Sequence, residues 1–499
     1  MRISDPGRGV RAMRRLTAAG ALAVLPVLAV AQAAASSSPV VAPPATSARA
    51  MALPAVVDAA LQRAKIPREA VSFYVAEAEG RSSPRLVWRE REAMNPASVM
   101  KLVTTYAALD LLGPAYVWRT PVYLDGSIGN GSLQGHLYLQ GRGDPKLVME
   151  RLWLLLRRLQ GMGVKTIAGD IVLDRSAFAL PAHDAAAFDG EPFRPYNVAP
   201  DALLLNYKSA VMTLVPDARA GVARVQWEPP LAGVQQQATV PLAPVGTDCG
   251  DWRSALQGDW ADPARMGFAG QYPASCGDKV WSIAPADPQQ FAARAVEGMW
   301  RELGGKLGGV VREGRVPAGL SPAFVAESPA LGEVVRDINK YSNNVMTLGL
   351  EQAGVGSMQT ANEAVARWWS SRWGVAERPV VDNGAGLSRE ARISAHALGR
   401  MLQSAWLSPV MPEFVASLPI AGVDGTLRRS KAQASAHLKT GSLRDSNALA
   451  GYVDGVSGKR YVLVAFVNHA NAGAARPALD ALVDWVARDS GAVTAAAPR

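Results

Sequence analysis

Residues 95–106 read NPASVMKLVTTY. Pro96 suits the first turn of a helix, Leu102, Tyr106 and Leu109 keep a helical period, and Gly113-Pro114 stops it. Ser98 and Lys101 then share one face, three positions apart and within reach of each other. The chain has 11 lysines among its 52 basic residues, and Lys101 is the only one with a serine three positions upstream. A serine hydroxyl is a poor nucleophile until something takes its proton. Lysine can do so only when neutral, so its pKa must fall from about 10.4 toward 7–8, disfavouring the ammonium form by roughly 3–5 kcal/mol. Burial, the positive end of the helix dipole and a second cation nearby all push that way.

The second cation is offered far downstream in HLKTGSL (437–443), where Lys439-Thr440-Gly441-Ser442 falls on an expected strand. Gly441 removes a side chain where an extended substrate could add itself to the strand edge, and Lys439 suits a carboxylate. Between these stretches, NKYSNNVMT (339–347) places Ser342 and Asn344 two positions apart near a helix start. They offer a hydroxyl to relay a proton and an amide to hold a substrate amide. Singly, each has a plainer reading: a solvated helix face, a helix cap, a strand end. Their order, each in a fitting local setting, favours chemistry.

Working outward, VSFYVAEAEG (71–80) and RLVWRERE (85–92) read as two strands joined by a Ser-Pro turn. SAHLKTGSL (435–443), ALAGYVDG (448–455) and RYVLVAFVNHA (460–470) are three more, and their short connections favour antiparallel pairing. ALDALVDWVARD (478–489) closes the chain as an amphipathic helix. One sheet built from both ends of the chain, with helices on its two faces, makes an α/β (α+β) domain over 57–122 and 285–490. Residues 123–284 read as an insertion of one or more β-rich domains, in which TIAGDIVLDRSAF (166–178) looks like a hairpin.

The N-terminus carries Arg2, Arg8, Arg11, Arg14 and Arg15, then an apolar run from Leu16 to Ala31 and a small-x-small site at 31–33. That is the pattern of a cleaved export signal over 1–33, the other reading being a retained anchor. A Pro/Ser/Ala-rich linker over 34–56 follows, and 491–499 is a tail. Removing 1–33 takes five arginines and one aspartate from 52 basic and 43 acidic residues, leaving +5 in place of +9. So mild an excess, with no basic tract interleaved with aromatics, gives no sign of nucleic acid. Cys249 and Cys276 are the only cysteines. In an exported protein the pair is most simply a disulfide, contributing about 3–4 kcal/mol; a two-ligand metal site is the weaker alternative.

Ser-x-x-Lys, Ser-x-Asn and Lys-Thr-Gly in this order resemble the signature of the penicillin-recognising serine enzymes. The long interval between the first two motifs resembles the low-molecular-weight class C penicillin-binding proteins. GRGDPKL (141–147), PYNVAPDALLLNYKSA (195–210), DNGAGLSR (382–389) and GVDGTLRR (422–429) also look like that family. The resemblance implies a penicillin-recognising transpeptidase-like domain and a D-alanyl-D-alanine carboxypeptidase and endopeptidase of periplasmic peptidoglycan, acylated by β-lactams. It also implies roles: Ser98 as acylated nucleophile, Lys101 as base and Ser342 as proton relay to the leaving D-alanine. Asn344 would bind the substrate amide, Lys439 and Thr440 its terminal carboxylate, and the backbone N–H groups of Ser98 and Ser442 would form the oxyanion hole. Asp174 and Arg389 would meet the zwitterionic end of a diaminopimelate side chain. Arg444 departs from the family, which has a neutral polar residue there, and VMTLGL (345–350) is more apolar than its counterpart.

The alternatives are a serine β-lactamase or a catalytically inactive wall-binding scaffold. The Glu-x-x-Leu-Asn pattern of one large β-lactamase class is absent, and intact motifs argue against a scaffold. The sequence contains no Gly-x-Ser-x-Gly elbow, His-Glu-x-x-His or phosphate-binding loop, so no metal or other cofactor is expected. Oligomeric state is not legible.

Overall fold

The structure, a computed structural model, describes residues 52–352 and 357–489. The leader 1–33, residues 34–51 of the linker and the tail 491–499 lie outside the described residues. The helix Ala55–Arg63 opens inside the stretch read as linker. No helix among the described residues is long and apolar enough to cross a membrane.

The central sheet has five antiparallel strands in the order Ala436–Leu443, Ser446–Asp454, Arg460–Asn468, Val71–Glu77 and Leu86–Trp88. The first long strand of the chain therefore lies beside its last. RYVLVAFVN is an unbroken apolar run because both faces of this sheet are covered. Phe73, Val75, Leu463, Ala465 and Val467 pack on the helices Ala55–Arg63 and Arg476–Ala487. Tyr74, Ala76, Val462, Val464 and Phe466 face the helices Lys101–Leu112, Leu331–Tyr341 and Ala395–Trp406. The alternation is the period of two that strand geometry dictates. In the helix 331–341, Leu331, Val334, Val335 and Ile338 recur at i, i+3, i+4 and i+7, all buried. Each fully buried Val, Leu or Phe is worth about 1.5–3 kcal/mol relative to exposure, so these layers fix the helices against the sheet. The architecture is the α/β one expected, an antiparallel sheet between helices.

Between Arg119 and Glu327 the chain builds separate sheets. A seven-stranded one grows around the hairpin Arg119–Gly129/Ser132–Gln140 and is backed by the helices Met149–Gly161 and Phe291–Glu302 through Leu152, Leu156, Val296 and Trp300. Residues 306–307, 311–313 and 324–327 pair into it, although they fall within the 285–490 segment drawn from sequence. A four-stranded sheet with an aromatic core, including Trp252, Trp260 and Tyr272, follows. Beside it Cys249 and Cys276 form a disulfide, Cα atoms 4.7 Å apart.

The hairpin expected at 166–178 does not form. Thr166–Ile167 and Ile171–Asp174 both run parallel to Ser132–Gln140, with Ser132 opposite Thr166 and Leu137 opposite Ile171. The register offset is the same in both pieces, so they are one interrupted strand. At the interruption the Asp170 N–H donates to His136 Nδ1 at 2.8 Å. Gly-Asp, which suggests a turn in sequence, is here a local break in the ladder.

Candidate active site

Ser98 lies in a 3-10 turn, Ala97–Met100, that runs into the helix Lys101–Leu112. The turn is held on three sides. Ala97 is fully buried with a left-handed backbone, φ 47°, and a Cβ at Gly386 would come within 2.0 Å of its carbonyl oxygen. From the Lys-Thr-Gly strand, a Cβ at Gly441 would lie 2.6 Å from Pro96 O and 3.1 Å from Ser98 N. Gly441 thus lets this strand approach the serine turn, rather than leaving room for substrate as its place in the motif suggested. On the third side the Asn95 N–H donates to Asn468 Oδ1 at 2.8 Å, and Asn468 Nδ2 donates back to Asn95 O at 3.0 Å. Asn95 Oδ1 accepts the Ala97 N–H at 2.8 Å.

Lys101 is fully buried. Its Nζ lies 3.0 Å from Ser98 Oγ, 2.6 Å from Asn344 Oδ1 and 2.5 Å from Ala385 O. Two of these partners are carbonyl oxygens and only accept. A neutral amine has two N–H donors and one lone pair, so in that form Lys101 would meet both carbonyls and have its lone pair left for the Ser98 hydroxyl. Asn344 is fixed in the required sense because its Nδ2 donates to Tyr196 O at 3.2 Å. Burial, with the charge of Lys439 adding to it, holds the Lys101 pKa well below 10.5.

Lys439 is also fully buried, and its Nζ donates to Ser342 Oγ and to Thr440 O, both at 2.8 Å. Burial pushes its pKa down to about 7. Among the described residues no carboxylate pairs with either amine. Ser342 ends the helix Leu331–Tyr341 in a left-handed conformation, φ 56°, and Asn344 begins the next, Asn344–Gln352. This sharp change of direction points a hydroxyl and an amide into the same space. Thr440 Oγ1 donates to Thr426 Oγ1 at 2.7 Å.

Ser98, Ser342, Asn344 and Ser442 line one cleft of about 660 Å³. Asp189, Tyr196, Arg389 and Arg444 line it too. Asp174 does not. It is buried, and its oxygens accept from the Ser176 N–H and Oγ, the Val316 N–H and Gln140 Nε2. Burial opposes its charge, but those bonds outweigh it and hold its carboxyl below the usual range. Asp174 therefore stabilises its own strand end. Asp189 was not singled out from sequence, and neither were the Asn95–Asn468 brace, the Ala385 carbonyl or Thr426. Ala385 and Thr426 sit inside the quoted stretches DNGAGLSR and GVDGTLRR, which is the only signal that pointed near them.

With the sheet between helices and the buried amine at a serine in place, comparison with known proteins shows a low-molecular-weight class C penicillin-binding protein, an enzyme of the D-alanyl-D-alanine carboxypeptidase type. The chain belongs to the D-Ala-D-Ala carboxypeptidase 3 (S13) family, whose model matches residues 53–489. It is 28% identical over 406 residues to a D-alanyl-D-alanine carboxypeptidase of Actinomadura sp. (strain R39), covering 77% of this chain and 75% of that protein. It is 25% identical over 398 residues to the D-alanyl-D-alanine carboxypeptidase DacB of Haemophilus influenzae, covering 76% and 81%. Among solved structures, penicillin binding protein 4 of Haemophilus influenzae aligns with a TM-score of 0.67 at 22% identity, over 86% of this chain and 99% of that one. That likeness is one of fold.

Proposed function

We propose that this protein is an exported, periplasmic serine-type enzyme that removes the terminal D-alanine of peptidoglycan stem peptides and cleaves their cross-links through an acyl-enzyme. The observation that carries the reading is the fully buried Lys101 amine, 3.0 Å from Ser98 Oγ and, among the described residues, without a carboxylate partner. Lys101 takes the Ser98 proton as Oγ bonds to the carbonyl carbon of the penultimate D-alanine. The negative charge on the carbonyl oxygen is met by the N–H groups of Ser98 and Ser442. A missing oxyanion donor typically costs about 2.7–4 kcal/mol.

The C–N bond then breaks, and the leaving amine receives a proton through Ser342, which Lys439 already contacts. Asn344 spends one amide hydrogen on Tyr196 O, leaving the other for a substrate carbonyl. Lys439 and Thr440 anchor the terminal carboxylate, whose arrival restores the charge that burial disfavours. Water hydrolyses the ester and the proton returns to Ser98. Penicillins enter by the same first step and leave slowly. Arg389 and Asp189 belong to the side-chain subsite. The strand pairing supports drawing the inserted region over 119–327 rather than 123–284.

The test is intact-mass analysis after benzylpenicillin treatment, together with D-alanine release from a D-Ala-D-Ala peptide. Wild type gains one penicilloyl group and releases D-alanine; Ser98→Ala, with unchanged circular dichroism, does neither. Retained D-alanine release in Ser98→Ala overturns the assignment.

A further inference from the structure

GRGDPKL (141–147) takes no part in the chemistry proposed above, and none of its residues lines the cleft. The stretch follows the strand Ser132–Gln140 and is tied into the β-rich region. The Gly141 N–H donates to Asp174 O at 2.8 Å, and the Gly143 N–H donates to Ala202 O at 2.7 Å. Gly143 has a left-handed φ of 84°, and a Cβ there would meet the Phe178 ring at 2.6 Å. Asp144 is buried, and its Oδ1 accepts the Lys146 N–H at 2.9 Å. The backbone of Lys146 is thereby fixed.

The other side of the stretch meets the two helices that join at Ser342-Asn343-Asn344. Lys146 Nζ pairs with Asp337 Oδ2 at 2.6 Å, the two side chains 23% and 19% exposed. Asp337 lies on the helix Leu331–Tyr341, five residues before Ser342 (342 − 337). Pro145 stands beside Gly349 of the helix Asn344–Gln352, where an added Cβ would lie 3.7 Å from Pro145 Cβ. Among the described residues, Lys146–Asp337 is the one ion pair between the region Arg119–Glu327 and the rest of the chain. The helix after the corner has further holds from that region: Asn344 Nδ2 donates to Tyr196 O, and Val345 packs with Val198, Leu204 and Ala284.

A proton relay works only if its hydroxyl reaches both neighbours at once. Ser342 Oγ is 2.8 Å from Lys439 Nζ, and it must reach the leaving nitrogen as well. A misplacement of about 1 Å caused far from the chemistry can cost up to about 10²-fold. A helix is stiff, so a tether at Asp337 is felt at its end. We propose that Lys146 is a positioning residue for the Ser342 relay: its pair with Asp337 fixes the helix that ends in Ser342. Protonation of the leaving amine then depends on a residue of the inserted region that stands outside the cleft. This rests on the acyl-enzyme reading above and gives the inserted region a part in the reaction.

The experiment compares kcat/KM for a D-Ala-D-Ala peptide with that for the same peptide carrying sulfur in place of the scissile nitrogen. An amine leaves only with a proton, whereas a thiol of pKa about 8.5 departs as thiolate. The amide-to-thioester ratio therefore reads the relay. A general loss of folded enzyme lowers both rates together and leaves the ratio unchanged, and benzylpenicillin labelling gives the fraction of each protein with a working nucleophile. Ser342→Ala sets the signature: amide cleavage falls by about 10²–10⁴-fold, the range of a lost general acid, and thioester cleavage far less. Lys146→Met reproduces part of it, with amide cleavage down about tenfold and thioester cleavage by less than about twofold. Lys146→Arg, which keeps the ion pair, stays near wild type. Asp337→Asn matches Lys146→Met, and the double variant is no worse than either. A wild-type ratio in Lys146→Met, whether both rates fall or neither does, overturns the assignment and leaves the acyl-enzyme intact. A wild-type ratio in Ser342→Ala takes the relay from Ser342 and overturns it too. A wild type that takes no label and releases no D-alanine overturns the acyl-enzyme reading and this one with it.

Discussion

Lys101, beside the five-stranded sheet, and Lys208, in the β-rich region, are buried to nearly the same depth, 0% and 4% exposed. Lys208 Nζ lies 2.8 Å from Asp201 Oδ2, and the same carboxylate pairs with Arg175. Burial lowers the Lys208 pKa and Asp201 pulls it back, leaving it only somewhat below 10.5. Lys101 has a hydroxyl and two carbonyls instead, and its pKa falls much further. The same division recurs in Lys340, which meets Asp424 at 2.6 Å, and Lys439, which meets Ser342. A carboxylate beside a buried lysine offsets the cost of its charge; without one, burial disfavours the ammonium form.

Exchanging each lysine for methionine should break the comparison in opposite directions. Lys101→Met removes the proposed base and should lower D-alanine release by about 10³–10⁴-fold, within the range of a lost general base. Methionine relieves the cost of burying the amine but leaves Asn344 Oδ1 and Ala385 O without their donor, so the urea midpoint of Lys101→Met should fall by less than that of Lys208→Met. A variant that keeps a tenth of wild-type release would show that some other group takes the Ser98 proton.

Lys208→Met leaves Asp201 with Arg175 alone in a buried setting, so it should cost about 3 kcal/mol, the lower end for breaking a buried ion pair. D-alanine release at a temperature where the variant is folded should stay within twofold of wild type. Unfolding monitored by tryptophan fluorescence reads the first quantity and a D-alanine assay the second. A stable variant with poor turnover would mean that the ion cluster around Asp201 serves the cleft and not the scaffold.

What the sequence made legible, and what it did not, divides along physical lines. Ser98, Lys101, Ser342, Asn344 and Lys439 could be singled out because they sit in short motifs whose spacing is local. The five strands of the central sheet could be read because apolar runs and turns are local too. The Asn95–Asn468 brace and the Ala385 carbonyl were invisible, since each depends on residues hundreds of positions apart meeting across the fold. Asp174 and Asp189 illustrate the same limit: both are acidic and near turns, and only the folded chain places one under its own strand and the other at the cleft. The break at Asp170 was misread as a hairpin because parallel pairing with a distant strand leaves no local mark.

The finest test of the comparison is the pH dependence of stability. Lys439 has a folded pKa of about 7 against an ordinary 10.5. Below pH 7 both states carry the proton and the cost of the buried charge is felt in full. Between about 7 and 10.5 the unfolded chain holds a proton that the folded one has lost, so stability rises with pH. The rise is at most about 1.4 kcal/mol per pH unit for one such group, and Lys101 adds to it with the same sign. Above 10.5 both states are neutral and the slope vanishes. Lys439→Met removes one of these groups. The variant should therefore gain less than wild type between pH 7.5 and 9.5. Urea midpoints at the two pH values measure this difference; Lys340→Met, which takes away a lysine paired with Asp424, serves as the control. Equal gains in wild type and Lys439→Met would mean that the Lys439 amine keeps its charge in the folded enzyme, and that Lys101 alone is the amine that yields.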